Sequence, residues 1–297
     1  MDNSNEPRQA ETTSVKAVKE TLSANGIRLV KSMGQNFLID PNIPEKIVKL
    51  SGIDSTCGVL EVGPGLGALT ACLSHVAGHV TAVELDGKLL PILRDKFSGQ
   101  DNVDLVHGDI LKLDITGLVG GRMAGLQRHV CSNLPYNITS PVLMALINTG
   151  LFQTITVMVQ REVALRLCAG PGSPEYGAFS VYINYHCKPE ILFDVAPECF
   201  LPRPAIWSSV VRMEVNDEKP LGPKEEALFF RVVRAAFGQR RKTLVNALHA
   251  AFGGDLIKEE IARCVSSCGF DAMVRGETLG IGEFLTLSAE LGRRLVT

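Results

Sequence analysis

The sequence predicts an α/β protein: an open, mostly parallel sheet wound with helices, followed by a smaller all-helical domain. Three observations carry this expectation. Short apolar runs end near Gly63, Glu84, Val106 and Ser132, a fifth covers Ile155–Val159, and helical patterns separate them. That alternation is what a doubly wound parallel sheet requires. The first run passes straight into Glu61-Val62-Gly63-Pro64-Gly65-Leu66-Gly67 and then Ala68–Leu73, a strand, a glycine turn and a helix start. Last, the polar, Pro/Gly-rich stretch Asn216–Pro223 reads as a linker, and the residues beyond it read as helices.

Taken in order, residues 1–27 are expected to be a tail, disordered over its first dozen residues, and a short helix at Val15–Ala24. The first domain is expected over 28–216 and the second over 224–297. Phe179–His186 and Ser208–Val215 read as an antiparallel last pair of strands. From Lys224 onward four or five helices are expected, with breaks near Gly238, Gly253-Gly254, Gly269 and Gly280. His75 and His79 straddle Gly78 with no acid companion and read as surface histidines at a helix end.

Composition bounds the possibilities. A chain of 297 residues with 45 % hydrophobic residues can build two real cores. No stretch approaches the eighteen apolar residues of a membrane span, and the polar N-terminus does not resemble a signal peptide, so a cytoplasmic protein is expected. The eight cysteines show no paired metal spacing and read as free thiols, with no metal expected. The net charge of −2 does not announce a nucleic-acid binder, so any such affinity must come from local clustering. One cluster exists. Lys224, Arg231, Arg234, Arg240, Arg241 and Lys242 face only Glu225 and Glu226 in their stretch, and the last three basic residues stand together at a helix junction.

The chemistry is concentrated at four strand ends. Glycines at Gly63 and Gly65 let the backbone approach a nucleotide-like ligand. Glu84 lies 21 residues beyond Gly63, at the tip of the second strand, where a carboxylate can take both ribose hydroxyls. These two features alone do not separate a dinucleotide from S-adenosylmethionine. Asp109, at the end of the third strand, can accept a hydrogen bond from an adenine amine. The fourth strand runs into Asn133-Leu134-Pro135-Tyr136. An exocyclic base amine is a poor nucleophile because its lone pair is conjugated into the ring. The Asn133 side-chain oxygen and the Leu134 carbonyl can accept both of its N–H groups, Pro135 restricts the backbone that aims them, and Tyr136 offers a face for an extruded base. Hydride transfer has no use for such a device; methyl transfer uses all four sites.

With these residues the chain resembles the ribosomal RNA adenine dimethyltransferases, and the small-subunit branch of that family in particular. The resemblance runs from about Arg28 to the C-terminus. It rests on Gly34-Gln35-Asn36-Phe37-Leu38, the Glu61–Gly67 loop, Asn133–Ile138, Gln160–Ala164, Tyr176-Gly177, Phe200-x-Pro202-x-Pro204 with Ser209–Val211, and Phe237–Leu244. It implies a Rossmann-like methyltransferase sheet and S-adenosylmethionine as cofactor, held by Asn36, Leu38, Gly63, Gly65, Glu84, Leu85, Asp109, Ile110 and Asn133. It further implies that Phe200 could close the second face of the target base, a core aromatic being the other reading of that residue. Arg234, Arg240, Arg241 and Lys242 would bind RNA. The implied substrate is a pair of adjacent adenosines near the 3′ end of small-subunit rRNA, in an immature subunit, and the protein would act as a monomer. Methylation of large-subunit rRNA, methylation of DNA adenine, and an assembly checkpoint with dispensable catalysis stand as alternatives. Trp207 departs from the family pattern, which favours a small or polar residue there, and reads as added stacking area or simple packing.

Overall fold

The structure, a computed structural model, describes residues 14–27 and 36–295. Arg28, Gly34, Gln35 and the expected N-terminal tail lie outside the described residues. In chain order the elements are α1 (Val15–Ala24), β1 (Phe37–Leu38), α2 (Asn42–Ser51), β2 (Cys57–Val62), α3 (Ala68–Val76), β3 (His79–Glu84), α4 (Leu90–Lys96), β4 (Val103–His107), α5 (Ile115–Gly120), β5 (Gln127–Asn133), α6 (Thr139–Asn148) and β6 (Thr154–Gln160). There follow α7 (Arg161–Leu167), α8 (Ala178–His186), β7 (Cys187–Val195), β8 (Phe200–Leu201), β9 (Ser208–Val215), α9 (Pro223–Gly238), α10 (Leu244–Phe252), α11 (Lys258–Ser267) and α12 (Ile281–Leu295).

The main sheet has the order β4-β3-β2-β5-β6-β9-β7. Strands β4 to β6 are parallel, and β9 runs antiparallel to β6 with Gln160 opposite Ser208. Every residue of β2 and β3 is buried, because helices cover both faces of a parallel sheet. Winding proceeds outward from β2 to β4 on one side and from β5 on the other. The switch point therefore lies between β2 and β5, and open α/β sheets bind ligands at the carboxyl ends there. One face of the sheet is packed by a core that includes Ile47, Val59, Leu69, Leu73, Met158, Phe200 and Val210. A second cluster joins Val18 and Leu22 of α1 to Phe37, Leu93 and Phe97.

The chain divides into two compact units. One runs through Ala164 and resumes over Glu190–Val215; the other consists of Leu165–Pro189 and the chain from Asn216 on. The expected unbroken first domain over 28–216 is corrected accordingly: residues 165–189 leave it for the helical unit. There Tyr176, Val181 and Tyr185 share a core with Phe229, Val232, Leu244, Phe252, Phe284 and Leu291.

The same segment corrects a second expectation. Phe179–His186 is not a strand but lies within α8, and β9 has β7 as its outer neighbour. Its aromatic and β-branched residues favour a strand, yet Ser180, Val181, Tyr182, Ile183, Tyr185 and His186 are all buried, around the whole helix. Burial on every side overrides intrinsic propensity. Ser180 fixes the helix start: the Gly177 N–H donates to Ser180 Oγ (3.1 Å), which itself donates to the Arg166 carbonyl (2.6 Å). His79 is likewise corrected. It opens β3, is buried, and places Nε2 3.2 Å from Asp104 Oδ2, while His75 is exposed.

Replacing Ser180 by Ala leaves a half-buried N–H and a carbonyl without this partner, so the urea midpoint should fall by an amount equivalent to about 1 kcal/mol. An unchanged midpoint would show that this hydroxyl does not hold α8 in place.

Candidate active site

The four strand ends converge. Asn36, Leu38, Gly63, Gly65, Glu84, Leu85, Asp109, Ile110, Asn133, Leu134, Pro135 and Tyr136 all line one cleft at the carboxyl edge of the sheet. The backbone continues the strand ladders into the turns: the Gly63 N–H donates to the Val83 carbonyl, Gly108 N–H to Glu84, and Leu134 N–H to Met158. The glycine loop is shaped by positive φ at Gly63 (72°), Gly65 (61°) and Gly67 (72°). Gly67 is doubly required. A Cβ there would stand 2.7 Å from Phe97 Cε2 and 3.0 Å from Leu93 Cδ2, in a conformation that side chains rarely adopt.

Asn133 Nδ2 donates to the Asn36 carbonyl at 3.2 Å, which leaves Oδ1 as an acceptor. Leu134 is buried, and no described residue donates to its carbonyl. Two acceptors on adjacent residues are what an –NH2 group can bind with both hydrogens. Pro135 has φ −57° and ψ 128° and leads into a single 3-10 turn, Tyr136–Ile138. The half-buried Tyr136 ring is anchored at its far end, where its hydroxyl lies 2.6 Å from Ser208 Oγ at the start of β9. Burial raises the Tyr136 pKa, so the phenol stays neutral.

Four acidic residues line the cleft: Glu61, Glu84, Asp86 and Asp109. Glu84 Oε2 accepts from the Gly65 N–H (3.1 Å) and Oε1 from the Asp86 N–H (2.8 Å), an arrangement that fixes its orientation. Burial nevertheless holds its pKa above the usual carboxylate range, the two backbone N–H groups working against that rise. Glu61 is buried, with Oε2 lacking a hydrogen-bond partner among the described residues. Its pKa is pushed up to about 8, chiefly by burial, with the Glu84 charge adding to the rise. Asp109 Oδ1 caps its own turn by accepting from the Leu111 N–H (3.1 Å).

Sequence reasoning missed two residues. Glu61 was visible only as part of the loop motif; an acid inside an apolar strand is the signal that could have singled it out. Lys96 gave no signal, since a lysine late in a helix usually faces solvent. Here its ammonium donates to the Leu66 and Gly67 carbonyls, both at 3.1 Å, and holds the end of the glycine loop from α4.

Other expected residues fall elsewhere. Phe200 is 2 % exposed and packs in the core with Leu38, Ile47 and Met158, which favours the core-aromatic reading of that residue. Arg234, Arg240, Arg241 and Lys242 are exposed in the helical unit. Arg240 is engaged there, through Nε to Glu277 (3.0 Å) and Nη2 to the Pro174 carbonyl (2.9 Å). The other three side chains have no charged partner among the described residues.

The cleft suits a nucleoside carrying positive charge: a glycine turn for close approach, an oriented acid at the second strand, a buried carboxyl at Glu61 beside Thr70, and apolar walls at Leu85 and Ile110. Beside it stands a pair of acceptors fitted to an amine. These features define a methyltransferase of the Rossmann-like class that acts on an amino group.

The chain matches the family described as ribosomal RNA adenine dimethylase over residues 27–267. It is 43 % identical to ribosomal RNA small subunit methyltransferase A of Geobacillus thermodenitrificans over 276 residues, 92 % of this chain and 94 % of that one. The counterpart from Geobacillus kaustophilus is 44 % identical over the same shares. A dimethyladenosine transferase from Plasmodium falciparum has the same fold, with a TM-score of 0.76 over 86 % of this chain and 98 % of that one, at 24 % identity. The chain belongs to the ribosomal RNA adenine dimethylase family. It is an S-adenosylmethionine-dependent rRNA adenine dimethyltransferase, and the residues of the cleft fit that cofactor.

Because Glu61 binds its proton more tightly folded than unfolded, stability should decline as pH rises from about 4.5 toward about 8. Glu61→Gln removes that dependence. The variant should therefore melt several degrees above the parent at pH 8 and near it at pH 4.5, measured without cofactor. Parallel melting curves across that range would refute a buried neutral carboxyl.

Proposed function

We propose that the protein transfers methyl groups from S-adenosylmethionine to the exocyclic amines of two adjacent adenosines near the 3′ end of small-subunit rRNA, giving dimethyladenosines late in subunit assembly. The observation that carries the reading is the Asn133 amide. Its nitrogen is committed to the Asn36 carbonyl, which leaves its oxygen as an acceptor on the residue next to the Leu134 carbonyl.

When bound, S-adenosylmethionine supplies an electrophilic methyl on a sulfonium centre. Glu84 would hold its ribose, Asp109 would accept from its adenine amine, and Leu85 and Ile110 would wall its ring. Asn133 Oδ1 and the Leu134 carbonyl accept the two N–H groups of the target amine and draw its nitrogen away from planarity, toward attack. Tyr136, held by Ser208, presents its ring to the extruded base and favours nearby positive charge. No side-chain base is needed, because the methylated amine is acidic enough to lose its proton to water. Positioning and electrostatics carry the rate.

In the helical unit Arg234, Arg241 and Lys242 are exposed cations without an ion pair among the described residues and would meet RNA phosphates, and Arg240 serves as a clip to Glu277 and Pro174. The partner is the rRNA of an immature small subunit. The protein acts as a monomer in the cytoplasm; no described helix is long and apolar enough to cross a membrane.

Transfer of a tritiated methyl group to immature small subunits, but not to large-subunit RNA or duplex DNA, is the decisive result; the reverse preference would overturn the reading. Asn133→Ala should slow transfer by about 10²- to 10³-fold with RNA binding retained, as for loss of one transition-state hydrogen-bond partner. Near-normal turnover would remove the amine-orienting role. Glu84→Ala should raise the dissociation constant for S-adenosylmethionine about tenfold or more by calorimetry. Replacing Arg241 and Lys242 together by Ala should flatten the plot of log affinity against log salt by roughly one to two units, and Arg240→Ala should instead lower the thermal midpoint. An unchanged salt slope in the double variant would exclude those two cations from the RNA site.

A further inference from the structure

Trp207 is the single tryptophan of the chain, and half of its surface, 50 %, is exposed, with Ile206 beside it 40 % exposed. Its backbone is fixed at a definite place. The Arg161 N–H donates to the Trp207 carbonyl at 2.9 Å, and Ser208, the next residue, pairs with Gln160 at the end of β6. Ser208 is also the residue whose hydroxyl anchors Tyr136. The indole thus stands at the carboxyl rim of the sheet, one residue from the anchor of the ring that receives the target base.

Two arginines at this rim are ion-paired: Arg161 Nε lies 3.1 Å from Asp194 Oδ2, and Arg203 pairs with Glu198. The exposed indole offers RNA an aromatic face there. An adenosine that enters the cleft leaves its neighbours without a stacking partner, and exposed aromatic faces are how proteins receive such bases. An indole has two side-chain torsions, so holding it in one orientation costs little conformational entropy.

We propose that Trp207 stacks on the RNA base adjacent to the adenosine in the cleft, and thereby fixes the register in which the two neighbouring adenosines are presented. This rests on the RNA substrate assigned above. It deepens that assignment by naming a specificity residue outside the Asn133–Tyr136 segment.

The lone tryptophan makes the test direct. Titrating the full-length protein with a single-stranded oligoribonucleotide containing two adjacent adenosines should quench its fluorescence to saturation, in step with binding followed by the anisotropy of a labelled copy. In methyl transfer to immature small subunits, Trp207→Ala should raise KM for the subunit on the order of tenfold, with kcat and the dissociation constant for S-adenosylmethionine little changed. Trp207→Phe should restore most of the loss, and the thermal midpoints of both variants should match the parent. Binding by anisotropy with no change in fluorescence, or an unaltered KM in Trp207→Ala while the parent methylates subunits normally, would overturn the stacking role and leave the substrate assignment standing. A parent protein that methylates no small-subunit rRNA would overturn both.

Discussion

The pairing of β2 with β5 is the constraint on which the site depends. These strands are distant in sequence, yet Leu60 lies opposite Val130 in parallel register, and the Val62 N–H donates to Ser132 Oγ across the pair. That register brings the glycine turn after β2 and the Asn133–Tyr136 segment after β5 to the same edge. A Cβ on Gly63 would lie 3.6 Å from the Pro135 ring. Donor pocket and acceptor pair are thus neighbours because two buried strands can align in only one way without exposing an apolar face.

Around this edge the protein holds its groups by backbone contacts. Glu84 is held by two N–H groups, Asn133 by one carbonyl, and the glycine loop by an ammonium that bonds two carbonyls. Backbone partners cannot change rotamer, so the geometry exists before substrate arrives. The carboxylates are the cost of this arrangement. Burial disfavours ionisation of both Glu61 and Glu84, the Glu84 charge adds to the effect at Glu61, and a cationic ligand would relieve that tension.

Much of this was legible in the sequence because the chemistry sits at strand ends, where spacing is set by the fold. Gly63, Glu84, Asp109 and Asn133 each follow an apolar run, and the breaks at Gly253 and Gly269 foretold helix ends in the second unit. What was not legible depends on long-range packing. Val181, Tyr182 and Tyr185 read as a strand because propensity is local, whereas their burial is supplied by Phe229 and Phe230 far along the chain. Phe200 shows the same limit: its motif does not say which side of the sheet its ring will fill. Lys96 and Arg240 look like any solvent-facing cations until their carbonyl partners are known.

The excursion of residues 165–189 into the helical unit has a consequence for how the protein could be divided. The chain passes between the two units three times, after Ala164, Pro189 and Val215, so the linker at 216–223 is not the sole connection between them. A fragment ended at that linker would keep Tyr176, Val181 and Tyr185 but lose the helices that cover them, and would present an apolar surface to water. The helical unit is therefore not an appendage that can be cut away. It is interleaved with the catalytic unit in sequence, and a cut at the linker divides its core.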